Sequence, residues 1–264
     1  MADDEQDPGP FHLGSAATNG HTELVELLLA EEDISPDEVN HRGQTPLYLA
    51  ASNGHIEVVE LLLELATDDS PKVDVNKTSK DGSTPLKAAL SGGHAVVAEA
   101  LLRAKNIDVG IEYRENWTPL GAASADGQLK VVKALVRLLR ASKPEALNQK
   151  HRGESTEGTP LFLASDGGHT KVVELLLRYL PQEKIDETNN GGRTALLAAA
   201  ANGHADVVAL LLAKNAKTDE QADDGMTALK AAMLGGHAAV VKQLFKKDKE
   251  KKRGRASNLV SGPD

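Results

Sequence analysis

The chain has 264 residues, a formal net charge of −9 and only 3% aromatic residues, so Ala, Leu and Val have to build most of its core. The negative charge argues against a general nucleic-acid-binding body, and the lack of cysteine excludes disulfides, thiolate catalysis and thiolate metal sites. Because the acidic N-terminus is not a secretory signal and no apolar run is long enough to span a bilayer, we expect a cytoplasmic protein.

In chain order, an acidic segment of residues 1–10 precedes seven copies of one phrase. Most copies read Thr-Pro-Leu or Thr-Ala-Leu, continue through an Ala-rich stretch and end on Gly-His. The spacings between successive copies are 34, 39, 34, 41, 35 and 33 residues. The copies start at Phe11, Thr45, Thr84, Thr118, Thr159, Thr194 and Thr227. Repetition at this period is typical of solenoid proteins, in which each repeat is one small structural unit.

The second copy shows why each unit is expected to fold as a pair of helices. Thr45 is a good N-cap, and Pro46 follows at the first helical position, where a missing N–H costs nothing. Leu47 and Ala51 are spaced to lie on one apolar face, and Gly54 suits a left-handed helix end. The following stretch, 55–65, mixes Val and Leu with Glu as an amphipathic helix does.

This pattern resembles the ankyrin repeat over residues 11–246. The family pattern is Gly, one residue, Thr-Pro-Leu-His, an Ala-rich helix, Gly-His and a Val-Val…Leu-Leu helix. The resemblance implies an all-α solenoid of stacked helix-turn-helix units joined by β-hairpin-like loops. The main departure is at the family's frequent His after Pro-Leu, where this chain has Tyr48, Lys87, Gly121, Phe162, Leu197 and Lys230.

The first and last copies and two long spacers depart from the regular pattern. The first copy replaces Thr-Pro by Phe11-His12, and the last has Gln243 flanked by Lys242 and Lys246. The polar residues of the last copy predict that the last repeat is a solvent-facing cap and that the array is complete. The spacer around Thr67–Lys72 predicts an extended loop, and that of Ser142–Ser155 predicts a longer helix followed by a longer hairpin. Both spacers are either binding loops or tolerated insertions.

No chemistry-bearing motif stands out from this frame. Six of the nine histidines occupy the Gly-His step, one in each repeat except the fourth, which has Gln128. This arrangement predicts hydrogen bonds between neighbouring loops rather than convergence on a metal ion. The remaining His12, His41 and His151 show no ligand spacing. The chain also lacks nucleophile-elbow, phosphate-loop, dinucleotide-binding and zinc-protease motifs. We therefore expect a non-enzymatic protein without a cofactor or metal.

The resemblance implies that the hairpin tips and the first turn of each inner helix form a concave surface that binds another protein. Residues vary at these positions while the frame stays nearly constant. Aromatic and Arg side chains are frequent interface anchors, which makes Tyr48, Trp117 and Phe162 candidate anchors. For Trp117 and Phe162 the alternative is packing against neighbouring hairpins. The tip and first-turn positions are Arg42, Gln44, Tyr48, Lys80, Asp81, Ser83, Lys87, Arg114, Glu115, Trp117, Thr156, Glu157, Phe162, Asn190, Arg193, Leu197, Asp224, Met226 and Lys230.

The basic segment 247–264 leaves a second function open. Its Lys/Arg run is typical of nuclear-import or nucleic-acid-contact segments, which would make the protein a nuclear regulator, or of a disordered solubilising tail. The leading hypothesis is a monomeric adaptor or scaffold that binds a protein and no membrane. From the net charge of −9, its partner is expected to present a basic or mixed-charge surface.

Overall fold

A computed structural model describes residues 13–66, 72–109, 117–152 and 157–260, with side chains described as far as Lys251. The predicted site residues Arg114, Glu115 and Thr156, the acidic segment 1–10 and most of the spacer around Thr67–Lys72 lie outside these ranges. The chain divides into two compact units, Met1–Arg114 and Glu115–Asp264. We call them unit 1 and unit 2.

The described part of unit 1 consists of helix pairs, as the sequence predicts. In each pair the first helix, called inner, packs against the inner helix of the next pair, and the second, outer helices pack in the same way. The pairs are α1 (Leu13–Thr18) with α2 (Thr22–Leu29), α3 (Pro46–Asn53) with α4 (Ile56–Glu64), and α5 (Pro85–Ser91) with α6 (Ala95–Leu101).

Unit 2 continues the pattern with inner and outer helices of its own. Two short strands, β1 (His151–Arg152) and β2 (Glu157–Gly158), pair antiparallel between α8 and α9. Short 3-10 turns follow α8 and α10 at Pro144–Asn148 and Gln182–Lys184. The helices are α7 (Pro119–Ala125), α8 (Leu129–Ser142), α9 (Pro160–Asp166), α10 (Thr170–Tyr179), α11 (Ala195–Ala201), α12 (Ala205–Ala213), α13 (Ala228–Leu234) and α14 (Ala238–Val260).

A threonine is the N-cap of every inner helix from α3 onward, which confirms the capping prediction. Its hydroxyl accepts the N–H three residues later, over 3.1 Å for Thr45 and Tyr48 and 3.3 Å for Thr227 and Lys230. Such a cap contributes about 1 kcal/mol. Gly54 ends α3 with a φ of 80°, a left-handed conformation in which a side chain would be strained.

The core is built from thin layers of small aliphatic side chains. The Leu of each central Thr-Pro-Leu or Thr-Ala-Leu phrase is almost completely buried, as Leu47 and Leu161 show. Paired valines of the outer helices, such as Val207 and Val208, are fully buried as well. Burying one such side chain contributes about 1.5–3 kcal/mol. Because neighbouring repeats supply much of this burial, one helix pair would not be stable alone.

The long spacer of unit 2 has the form that the sequence predicts. α8 extends over 14 residues, whereas α10, the next outer helix, has 10. The 3-10 turn and the β1–β2 pair then fill the extra length before α9. The prediction of a longer helix followed by a longer hairpin is therefore confirmed.

The last repeat does not have the polar cap that the sequence predicts. Met233 and Phe245 are 59% and 46% exposed. They lie on the open side of the last repeat, which is the side where an internal repeat packs against the following one. Lys242 does not cover them, because its position corresponds to Glu60 and Glu174, which already face solvent inside the array. The last helix also continues beyond residue 246, where the array was expected to end, and is helical as far as Val260.

Candidate partner-binding surface

The loop that leads into an inner helix closes with one recurring hydrogen-bond pattern. In the second repeat Asn40 N–H donates to the Gln44 carbonyl over 3.1 Å, and Gly43 N–H donates to the Asn40 carbonyl over 2.8 Å. Gly43 has a φ of 75°, which explains the glycine of the repeat pattern. The same pair of bonds closes the loops that start at Ser79, Asn189 and Ala222. The frame therefore holds these four hairpin tips in the same conformation.

Side chains inside the tips reinforce this turn. Asn40 Oδ1 accepts from the N–H groups of Arg42 and Gln44 over 2.9 and 3.0 Å. In the next tip Asp81 Oδ1 accepts from the Ser79 hydroxyl over 2.5 Å and from Ser83 N–H over 2.9 Å. These hydrogen bonds, the Ser79 bond foremost, lower the pKa of Asp81 below its usual range. Asp81 and the buried Ser83, both predicted to contact a partner, are thus engaged in closing the turn.

Within each unit, neighbouring tips are joined to one another. Lys80 N–H donates to the Arg42 carbonyl over 2.9 Å in unit 1, and Asp223 N–H donates to the Gly191 carbonyl over 3.2 Å in unit 2. A Cβ atom at Gly43 would lie 3.0 Å from the Lys80 amide nitrogen, so the two tips approach closely. Side chains of successive tips therefore share one surface.

The predicted partner-binding residues fall into three groups by exposure. Those exposed at the tips are Arg42, Lys80, Asp81, Asn190, Asp224 and Lys230. Those partly exposed are Gln44, Lys87, Trp117, Glu157, Arg193 and Met226. Those buried are Tyr48, Ser83, Phe162 and Leu197.

Three of the predicted apolar contacts need correction, because they belong to the core. Phe162 is 5% exposed and packs with Leu163 and Ala198. Leu197 is 2% exposed and packs with Ala222 and Ala231. Tyr48 is buried at the start of α3. For Phe162, packing against its neighbours is the alternative that the sequence left open, and the structure favours it.

Trp117 lies half-buried beside a histidine that sequence reasoning set aside. Its ring centre is 5.7 Å from that of His151, which is buried in strand β1. Thr118 N–H donates to His151 Nδ1 over 3.0 Å. Burial lowers the pKa of His151. The Thr118 carbonyl oxygen, 3.1 Å from Nδ1, partly offsets this effect because it accepts a hydrogen bond from the protonated ring. His151 was not selected from the sequence, because this histidine lies outside the Gly-His step. The residue that points to it is Gly121, where a Cβ atom would lie 2.2 Å from His151 Cβ.

Two further polar side chains of this hairpin, Arg152 and Glu157, also make contacts within unit 2. Arg152 Nε lies 3.5 Å from Glu157 Oε1 across the two strands. Asn190, at the tip of the next repeat, donates to the same carboxylate oxygen of Glu157. Glu157 and Asn190 are therefore engaged within the protein, although both were predicted to contact a partner.

In unit 1, by contrast, the tips carry an excess of positive charge. Residues 40–48 and 79–87 contain Arg42, Lys80 and Lys87 against the single carboxylate of Asp81. Among the described residues, neither Arg42 nor Lys80 has an ion-pair partner within 4 Å. We call Arg42, Lys80 and Lys87 the basic tip surface.

The charged residues on the outer helices of unit 1 are all acidic. α2, α4 and α6 hold six glutamates and no Lys or Arg. Glu57, Glu60 and Glu64 of α4 are all exposed. The chain's net charge of −9 is therefore a poor guide to the charge at the tips.

Five of the six histidines of the Gly-His step bond to the preceding repeat, as the sequence predicts. His55 Nε2 lies 2.8 Å from the Thr18 carbonyl oxygen, and the equivalent distance is 2.9 Å for His237 and Ala201. His94, His169 and His204 repeat this contact. Each histidine thus joins two neighbouring repeats. In the described part of the chain, no group of His, Cys, Asp or Glu side chains is arranged to hold a metal ion.

The beginning of the basic C-terminal run packs against the loop that follows α12. Lys251 Nζ lies 3.1 Å from both carboxylate oxygens of Asp219, and Lys247 Nζ donates to Asn215 Oδ1 over 3.2 Å. Asp248 accepts from the Thr218 hydroxyl over 2.9 Å. These contacts occupy two of the lysines that an import signal or a nucleic-acid contact would use. No helix among the described residues is long and apolar enough to cross a membrane.

The sequence matches one family model, described as ankyrin repeats (three copies). Successive matches cover residues 2–72, 69–144, 135–221 and 180–255. Among curated proteins, none matches the sequence.

Solved structures share the fold at low sequence identity. The human ASB11 ankyrin repeat domain is 22% identical with a TM-score of 0.67, over 92% of this chain and 98% of that one. The ankyrin repeat domain of Bcl-3, of the IkappaB protein family, is 20% identical with a TM-score of 0.66, over 91% and 100% of the two chains. A chain from the complex of the predatory endopeptidase Bd0816 of Bdellovibrio bacteriovorus with the immunity protein Bd3460 is 23% identical. Its TM-score is 0.53, and the match covers 92% and 100% of the two chains.

Proposed function

Because this chain belongs to the ankyrin-repeat family, whose repeats form a general protein–protein interaction module and not a catalytic scaffold, we propose that it is an adaptor that binds an acidic segment of another protein. The binding site is the basic tip surface of unit 1. We place this interaction in the cytoplasm.

The observation that carries the proposal is the excess of cations at two tips that touch each other. The Lys80–Arg42 backbone hydrogen bond brings the tips of the second and third repeats side by side. Lys87 extends the surface onto the first turn of α5, where Thr84 caps the helix. Arg and Lys side chains on a fixed frame suit carboxylate recognition, and Arg42 adds the planar fork that binds a carboxylate through two hydrogen bonds.

The charge distribution supports an acidic partner in place of the basic one expected from the net charge. Carboxylates on α2, α4 and α6 repel an acidic ligand from the outer helices, while the tips attract it. Such complementarity raises the association rate and fixes the orientation of binding more than it raises affinity.

The tips of unit 2 offer less to a partner. Glu157 bonds to Arg152 and Asn190, and His151 is buried against Thr118. A partner that bound there would first have to break contacts within the protein.

Site-specific photocrosslinking tests the proposal in the full chain. A photoreactive amino acid is placed at Arg42 or at Lys80 and, for comparison, at Glu57 or Glu60 on the outer helix. We expect crosslinked proteins at the tip positions and none at the outer-helix positions. Products that form equally at both faces would contradict the proposed site.

Charge-reversal variants then test the chemistry of the crosslinked partner. The double variant Arg42→Glu/Lys80→Glu should weaken binding by at least about tenfold, and raised salt should weaken wild-type binding. The matched control Lys72→Glu/Arg103→Glu changes the net charge equally at exposed positions outside the tips and should bind as the wild type does. Equal losses in the two double variants would show that net charge, and not this surface, governs binding.

A further inference from the structure

The open side of the last repeat keeps apolar residues at positions that internal repeats bury. Phe245 lies eight residues after His237, as Leu177 and Leu212 lie eight residues after their Gly-His histidines. Leu177 and Leu212 are 3% and 7% exposed, but Phe245 is 46% exposed. Met233 is 59% exposed, although Ala51 and Ala200 at the same position of their repeats are fully buried.

These residues line a groove with a charged rim. The groove has a volume of about 1030 Å³ and is lined by Met233, Val241 and Phe245. Its charged lining residues are Lys242, Lys246, Lys249 and Glu250, three cations against one carboxylate. An apolar floor with this excess of positive charge suits an apolar surface that carries carboxylates.

The first repeat exposes the surface that, in an internal repeat, packs against the preceding repeat. Leu24 lies three residues after His21, the position of Val58 and Val207, which are fully buried; Leu24 is 37% exposed. Leu27, one helical turn further, is 68% exposed. Only the first repeat loses burial at the position of Leu24, so this side of α2 corresponds to the side that faces a preceding repeat inside the array.

Carboxylates surround these leucines. Glu23 and Glu26 are exposed on α2, and Glu31, Glu32 and Asp33 are exposed in the loop that follows it. The sequence adds four carboxylates within residues 1–10, whereas residues 246–255 carry seven Lys or Arg against two carboxylates. The two end repeats therefore carry opposite charge as well as matching apolar positions.

We propose that the first repeat of one copy of this chain docks into the groove of the last repeat of another copy. Leu24 and Leu27 enter the groove of Met233 and Phe245, and the acidic loop 31–33 lies opposite Lys246 and Lys249. This contact reproduces a junction of the array between two molecules, in place of the monomer predicted from the sequence. The contact is heterologous, because it joins two different surfaces, and each molecule of a dimer keeps one of these surfaces unoccupied. Association therefore continues beyond the dimer unless the copies close into a ring.

Two single variants test this arrangement. Leu27→Asp blocks only the first repeat, and Phe245→Asp blocks only the last; Met233→Asp is a second block of the last repeat. The wild type should show an average mass that rises with concentration and falls with added salt in sedimentation experiments. Each single variant should stay monomeric to concentrations at least about tenfold higher. Circular dichroism establishes that each variant is folded.

The decisive measurement mixes Leu27→Asp and Phe245→Asp in equal amounts. Each protein then retains one intact face, so the mixture should reach twice the monomer mass and no more. The control Val96→Asp changes another exposed apolar residue, 66% exposed on α6, and should associate as the wild type does.

A monomeric wild type, continued association of the single variants, or a mixture without dimers would overturn the proposal. None of these outcomes bears on the basic tip surface, because the proposed self-association does not rest on partner binding there.

Discussion

The hairpin tips of the two units share one frame but use their polar side chains differently. In unit 1, Arg42 and Lys80 extend from tips that backbone hydrogen bonds and Asn40 or Asp81 already hold closed. In unit 2, the hairpin around β1 and β2 uses His151, Arg152 and Glu157 to hold itself together. Under the proposed function, the loop position serves recognition where the turn closes without its charged side chains, and it serves stability where the turn depends on them.

The largest test of this contrast uses the position after Pro-Leu, which holds Phe162 in unit 2 and Lys87 in unit 1. Phe162→Ala should lower the free energy of unfolding by about 3–5 kcal/mol, because it removes a buried ring beside Leu163 and Ala198. Lys87→Ala should change it by no more than about 0.5 kcal/mol. Urea unfolding followed by circular dichroism measures both. Similar losses in the two variants would contradict the assignment of Phe162 to the core and of Lys87 to the basic tip surface.

A smaller effect is expected at Gly121, which occupies the same position in the fourth repeat. An added Cβ atom would lie 2.2 Å from His151 Cβ, so β1 must shift to accept it. Gly121→Ala should therefore lower stability by about 1–3 kcal/mol, despite the better helix propensity of alanine. The comparison is Gly82→Ala in a unit 1 tip, where no atom lies within 4 Å of the added Cβ. There only the left-handed backbone resists the change, at about 1–2 kcal/mol. A Gly121→Ala protein as stable as the wild type would show that β1 is not packed as described.

The smallest effect is a dependence of stability on pH. Burial lowers the pKa of His151 below its ordinary value of 6.5, so the unfolded chain binds the proton more tightly than the folded chain does. The stability that this site contributes is present above pH 6.5 and is lost as the pH falls through the folded pKa. The slope cannot exceed about 1.4 kcal/mol per pH unit for one group.

A His151→Gln variant isolates this contribution. The difference in unfolding free energy between wild type and variant should shrink between pH 7 and pH 5. Parallel pH profiles for the two proteins would mean that His151 is not the group that titrates.

Residues that bond within their own repeat, or to the same backbone position of the preceding repeat, were predictable from the sequence. Thr45, Gly54 and His55 recur in register, and each has a single favourable role in a short helix pair. Predictions failed where a residue's surroundings come from distant parts of the chain. Phe162 was assigned to the partner surface, but Ala198 of the next repeat helps to cover it. Gln243 and Lys242 suggested a cap because sequence does not show which side of a helix lacks a neighbour.

The sequence by itself determined the repeat and its family, because a pattern copied seven times specifies local hydrogen bonds and an apolar face in each copy. Only the tertiary structure decided which tip residues meet water, where the positive charge of unit 1 gathers, and which apolar residues the end repeats leave uncovered. These properties depend on residues some 30–40 positions apart in the chain, such as Lys80 beside Arg42 and His55 beside Thr18. Local pattern cannot report such contacts, since burial and charge at a surface are set by neighbours in space.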